Sequence, residues 1–173
     1  MYRDAAGHNL NGLLPPATCA QDKGGRVLII ACGALAREIV AIKALNALDH
    51  IDFTCLPAKL HNEPGKIPEA VRSAIMQNKD RYGEILVAYG DCGTGGLLDA
   101  VLEETGVKRI EGAHCYAFFT GIETFDSLED DQLGTFYLTD FLARHFQTMV
   151  IEPLGLDWHP QLRDMYFEHY TRV

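Results

Sequence analysis

The sequence predicts an α/β protein: a three-layer, Rossmann-like sandwich on a mostly parallel sheet, with a helical C-terminal part covering that sheet. Three observations carry the prediction. Short runs rich in β-branched residues recur at "RVLIIAC", "IDFTCLPA", "GEILVAYG" and "VKRIEGAHCY". Segments between them place apolar residues three and four apart, as a helix with one buried face does. Strands that alternate with helices in this rhythm imply right-handed crossovers and parallel neighbours.

The elements follow in order. Arg26 to Cys32 is a continuous apolar run, the mark of a strand buried on both faces. After Gly33, "ALAREIVAIKALNAL" sets Leu35, Ile39, Ile42 and Leu45 on one helical stripe. The second strand stops at Pro57, and the loop "KLHNEPGK" leads to "IPEAVRSAIMQNKD", where Pro68 suits a first helical turn. The third strand runs into "YGDCGTGG" and then the helix "LLDAVLEETG", with Gly106 as its end. "VKRIEGAHCY" makes the fourth strand. In the tail, Ser127 of "SLEDDQ" is a candidate N-cap, "GTFYLTDFLARHFQTMVIEPLG" reads as one long amphipathic helix, and Pro160 starts another.

The chain has 173 residues, the size of one domain, and residues 26–173 read as a single α/β domain behind a polar leader over 1–25. A net charge of -9 argues against a nucleic-acid partner. No apolar run is long enough for a membrane span, and the leader lacks the pattern of a secretory signal. With five cysteines, an odd number, this points to reduced thiols in the cytoplasm. The aromatic helical tail also offers a surface for a homo-oligomer.

Candidate function lies where thiols converge. Ligands of open α/β sheets bind beyond the carboxyl ends of the strands. Cys32 closes strand one, Cys92 follows strand three and Cys115 follows strand four, so one sheet edge collects three sulfurs. Each alone is ordinary core filler, as Cys55 is expected to be; three at one level define a shared site. No C-x-x-C pair is present, so a finger-type structural site is not indicated. Cys32, Cys92 and Cys115 are the candidate metal ligands, for zinc or alternatively an iron–sulfur cluster, with a fourth position open to a small-molecule substrate. His61 and His114 are candidates for fourth ligand or proton relay, and Asp91 for orienting a catalytic group. Gly93, Thr94, Gly95 and Gly96 form a turn whose amides, at a helix N-terminus, are expected to hold an anionic group. That turn also favours the thiolate of Cys92. The orientation of Glu111 is open.

The blocks "LPAKLHNEPGKIPEAV", "YGDCGTGG", "RIEGAHCY", "GTFYLTDFLARHF" and "GLDWHPQLRDMYFEHYTR" together resemble the domain-of-unknown-function family 1638 of bacteria and archaea, from about Arg26 onward. The resemblance implies that Cys32, His61, Cys92, His114 and Cys115 are the family's recurring cysteines and histidines. It implies an association with corrinoid-dependent methyl transfer, hence a corrinoid protein as partner and a thiol as methyl acceptor. It also implies a further strand and helix beyond the last block. Two other readings stand beside this one: a non-catalytic accessory protein for a metallocofactor, and a metal-free enzyme using two cysteines as racemases do.

Overall fold

The computed structural model describes residues 25–131 and 134–173, which fall into two compact units, one ending at Cys115 and the other spanning Tyr116–Val173. The first unit is the predicted α/β layer structure. Four strands, β1 (Val27–Cys32), β2 (Ile51–Leu56), β3 (Glu84–Ala88) and β4 (Lys108–Arg109), form an all-parallel sheet in the order β2-β1-β3-β4. Three helices link them: α1 (Ala36–Leu45), α2 (Ile67–Asn78) and α3 (Leu97–Thr105).

The strand order explains the layers. The crossover from β1 to β2 runs one way along the sheet, and those from β2 to β3 and β3 to β4 run the other. Right-handed crossovers then put α1 on one face and α2 with α3 on the opposite face. Residues two apart share a sheet face, so Leu28, Ile30 and Cys32 of β1 stand beside Val87 of β3. All four are 2% exposed or less, as are Ile67, Val71, Ile75 and Leu98 of the α2–α3 layer. Arg72 of α2 pairs with Glu104 of α3 at the rim of this layer.

The stripe expected on α1 is buried at one end only. Leu35, in the 3-10 turn before the helix, is buried, whereas Leu45 is 85% exposed. Asn46 closes the helix by donating from its side chain to the Ile42 carbonyl. Strand four is shorter than the sequence reading. After the Ile110 amide donates to the Val87 carbonyl, Gly112 turns at φ +137° and regular pairing gives way to a loop.

The second unit is helical but divided: α4 (Ala117–Thr120), α5 (Ile122–Asp131), α6 (Asp140–Arg144) and α7 (Arg163–Phe167). Ser127 lies inside α5 rather than at its start. The long helix read from "GTFYLTDFLARHFQTMVIEPLG" is broken for identifiable reasons. Gly134 takes a left-handed turn, and the next residues run extended, with a parallel bridge from Thr135 to Arg172. A Cβ at Gly134 would sit 2.7 Å from the His169 carbonyl oxygen. The helix restarts only at Thr139, whose hydroxyl accepts from the Leu142 amide as an N-cap. The aromatics nonetheless cluster: half-buried Phe136 packs edge-on against Phe146, Phe167 and Tyr170. Among the described residues, no helix is long and apolar enough to cross a membrane.

Truncating Ile30, which is fully buried, should cost about 2–5 kcal/mol in urea unfolding, whereas Leu45→Ala should stay within about 0.5 kcal/mol. Equal losses at the two positions would contradict this placement of the core.

Candidate metal centre

The strand order reverses between β1 and β3, the point at which open α/β sheets form a crevice at their carboxyl edge. Cys32 ends β1 and Tyr89 immediately follows β3 at the same level. The loops beyond them bring in the remaining groups.

Backbone pairing sets the geometry. Past β3, the amides of Asp91 and Cys92 donate to the carbonyls of Gly112 and Ala113, at 3.0 and 2.9 Å. The two loops therefore run side by side after the strands have ended. Their approach is so close that a Cβ on Gly90 would lie 2.7 Å from the His114 carbonyl carbon and 2.9 Å from the Cys115 nitrogen. Only glycine fits there. Cys92 is held at φ +52°, a backbone region most side chains avoid, so its conformation is imposed by the surrounding bonds.

Arg109 fixes the other loop. Its guanidinium makes two bonds to Asp99 of α3, at 2.6 and 3.0 Å, and Nη1 donates to the carbonyls of Ile110 and Gly112. His61 comes from a third segment, the 3-10 turn Ala58–Asn62 between Pro57 and Pro64.

The result is a group of four donors. One ligand atom from each of His61, Cys92, His114 and Cys115 lies within 4.8 Å of all the others. Zinc–sulfur and zinc–nitrogen bonds of about 2.3 and 2.0–2.1 Å imply donor separations of about 3.3–3.8 Å around a tetrahedral ion. The group reaches that geometry by contracting about 1.5 Å at most. Two thiols and two imidazoles are also a donor chemistry that soft and borderline divalent ions select.

A second observation fits the same group. Nδ1 of His61 lies 3.2 Å from the Ala58 carbonyl oxygen, which can only accept, so Nδ1 carries the proton. That leaves Nε2 as the ring nitrogen turned toward the group, and Nε2 is buried without a hydrogen-bond partner. A buried polar atom without a partner is costly in a folded chain, and a backbone carbonyl behind the ring is the usual support for a metal-binding histidine. The ring of Tyr89, wholly buried, stacks on His61 with centroids 6.2 Å apart and planes 13° from parallel.

The charges of the metal-free group follow from its contacts. Cys115 donates its thiol proton to Cys92, and the nearby positive charge of His61 adds to this, lowering Cys92 to about 4 despite burial. Cys115, as the donor beside that thiolate and itself buried, is pushed up. Burial works against a charged His61, but the sulfurs of Cys32 and Cys92 outweigh it and raise the ring to about 10. Burial pushes Cys55 up to about 12, the behaviour of a filler thiol.

Cys92, Cys115, His61 and His114 thus meet as the sequence suggested. Cys32 stands immediately beside them, its sulfur 3.7 Å from Nδ1 of His61 and accepting from the Ala34 amide at 3.3 Å. The group that could hold an ion takes two of the three candidate sulfurs, Cys92 and Cys115, together with both candidate histidines. Asp91 and the glycine turn are engaged with each other. The Asp91 carboxylate accepts from the Thr94 hydroxyl at 2.6 Å and from the amides of Gly95 and Gly96 at 3.1 and 2.9 Å. The anion at this helix N-terminus is the chain's own carboxylate, held below the usual range first by Thr94 and then by the Gly96 amide. Gly93 opens this turn at φ +81° against Pro64. Glu111 is exposed, and Cys19 lies outside the described residues. Sequence reasoning did not single out Tyr89, Gly90 or Arg109. Tyr89 and Gly90 stand in the quoted "YGDCGTGG" block, whereas nothing local marks Arg109, whose partner is ten residues away.

Fold and site define a class: a parallel α/β protein with a His2Cys2 group, able to hold a metal ion, at the switch point of its sheet. The chain matches the family described as "Protein of unknown function (DUF1638)" over residues 55–173, more than half its length, and belongs to that family. No curated protein and no solved structure matches it.

Two outcomes follow from this geometry. Because Cys92 is depressed to about 4, far-ultraviolet thiolate absorbance of the metal-free protein should persist at about pH 6 and fade only as the pH drops through about 4. Cys92→Ser should remove it; an unchanged signal in that variant would place the thiolate elsewhere. Gly90→Ala should lower metal affinity at least about tenfold with the sheet intact by circular dichroism, because the Cβ must push His114 and Cys115 aside. Unchanged affinity would show that the two loops adjust freely.

Proposed function

We propose that this protein is a metal-dependent enzyme whose thiolate–imidazole centre activates a substrate thiol as the acceptor of a methyl group, with a methyl-corrinoid as donor. The observation that carries the reading is the meeting of His61, Cys92, His114 and Cys115 at the crevice of the sheet. A parallel sheet with a buried core has no need of a metal to hold its strands, and this edge is where such folds bind what they act on. Four donors all within 4.8 Å of one another enclose a single ion more readily than a cluster, which favours zinc over iron–sulfur.

Held there by Cys92, Cys115, His61 and His114, zinc would supply a Lewis acid, and a substrate thiol taking the place of one imidazole would have its pKa lowered and stay nucleophilic at neutral pH. That thiol, its proton given up to water, would take the methyl group in a new carbon–sulfur bond, the donor keeping the electron pair of its cobalt–carbon bond. The chain's residues hold the geometry: Gly90 admits the His114–Cys115 backbone, Arg109 anchors the loop leading to it, and the Ala58 carbonyl fixes the tautomer of His61. The choice of a methyl-corrinoid as donor follows what the family resemblance implies, not a feature of the site.

One observation favours a second reading. All four donors belong to the chain, and Cys92 and Cys115 are 5% and 2% exposed, as in a site that stores or delivers a metal. On that reading the protein is an accessory to a metallocofactor and turns nothing over.

Protein isolated without chelators should carry about one zinc per chain, and Cys92→Ser or Cys115→Ser should retain less than about a tenth of it. Incubation with methylcobalamin and small thiols should give a thioether and reduced cobalamin. Metal bound tightly with no thioether formed would favour the accessory reading; metal absent from the wild-type protein would contradict both.

A further inference from the structure

Holding an ion is not the only chemistry open to this group, because two of its four donors are thiols bonded to each other. Cys115 makes a side-chain hydrogen bond to Cys92, and their sulfurs lie within 4.8 Å of one another. Two thiol sulfurs at that range are the reactants of a disulfide, in which they stand about 2.0 Å apart. Both side chains are nearly closed to solvent, Cys92 at 5% and Cys115 at 2% exposed. Such sulfurs admit a small hydroperoxide and shut out a bulky disulfide reagent.

The backbones select this pair over the other sulfurs nearby. Cys92 and Cys115 stand on the loops that follow β3 and β4, beyond the ladder of the sheet. Those loops are fixed side by side, with the Cys92 amide donating to the Ala113 carbonyl at 2.9 Å and Gly90 lying against the Cys115 nitrogen. Rotation of the two side chains about their own bonds is what remains to close the gap. Cys32 is held otherwise: it ends a strand paired on both sides, and its sulfur meets the Ala34 amide and Nδ1 of His61 at 3.3 and 3.7 Å. Cys55 lies within β2 and outside the four-donor group.

We propose that Cys92 and Cys115 are an oxidisable pair, which a small hydroperoxide converts to a disulfide, discharging the metal ion and switching the centre off. This rests on the metal reading above and adds the regulation of that site. Cys92, which accepts the Cys115 hydrogen bond, attacks a peroxide oxygen; the O–O bond breaks and the sulfur takes up the hydroxyl. The Cys115 sulfur then attacks that of Cys92, the S–S bond forms and the hydroxyl leaves as water. The two sulfurs lose two electrons in all, and the peroxide, with two protons from solvent, becomes water and an alcohol, or two waters from hydrogen peroxide. The ion keeps its charge but loses both thiolates, leaving two imidazoles to hold it. A thiol reductant reverses the change.

The test adds hydrogen peroxide to the full-length protein supplied with zinc, and reads intact mass, disulfides by peptide mapping, and zinc freed to a coloured chelator. A Cys92–Cys115 disulfide should form as about one zinc per chain is freed, and dithiothreitol with added zinc should restore the starting state. Oxidised glutathione at the same concentration should act at least about tenfold more slowly; equal rates would overturn the choice of oxidant. Cys32→Ser should oxidise within about twofold of the wild-type rate, whereas Cys115→Ser should stop with Cys92 as a sulfenic acid that dimedone captures. Circular dichroism shows whether each variant is folded, and Cys115→Ala stands in should Cys115→Ser not fold. Zinc retained with every thiol still reduced, or a disulfide that joins Cys32, Cys55 or Cys19 instead, overturns the switch and leaves the metal centre standing. A protein that binds no zinc yet forms the Cys92–Cys115 disulfide overturns the metal centre and the discharge, and upholds the oxidisable pair.

Discussion

The site depends on one close backbone approach. After the hydrogen bonds of the sheet end at the Ala88 level, two loops continue the pairing through the Asp91 and Cys92 amides and the Gly112 and Ala113 carbonyls. Gly90 allows it, because any larger residue would collide with the backbone of His114 and Cys115. This contact brings Cys92 against Cys115, residues from the loops that follow β3 and β4. The thiol–thiolate bond between them, the polarity around His61 and the capacity for a metal all follow from it.

Around this contact the chain invests its polar bonds in holding loops rather than in offering open sites. Asp91 binds the amides at the start of α3, so the turn bearing Cys92 is rigid and its anion position is filled from within. Arg109 binds Asp99 and two loop carbonyls, tying the approach to His114 onto α3. The four donor atoms are thus positioned by hydrogen bonds from side chains outside their own group. Nε2 of His61 and the Tyr89 hydroxyl are the exceptions, buried at the centre without hydrogen-bond partners.

Much of the fold and part of the site were legible in the sequence. The four apolar runs gave the strands because buried parallel strands need unbroken apolar residues, and the topology then forced their ends to one edge. Cysteines at equal positions relative to those ends could be grouped without coordinates. What could not be read was which of the five candidate donors share one centre, because loop residues such as His61 and His114 carry no periodicity to fix their direction. The long C-terminal helix failed for a related reason: its apolar spacing is real, but Gly134 and the bridge to Arg172 impose an extended path that local propensity does not encode.

X-ray absorption at the metal edge of the purified protein tests the central claim most directly, since it counts the atoms bound to the ion. The account predicts a mononuclear, four-coordinate ion with two sulfur neighbours at about 2.3 Å and two nitrogens at about 2.0–2.1 Å. A first shell of oxygen and nitrogen without sulfur, or a second metal at bonding distance, would contradict it.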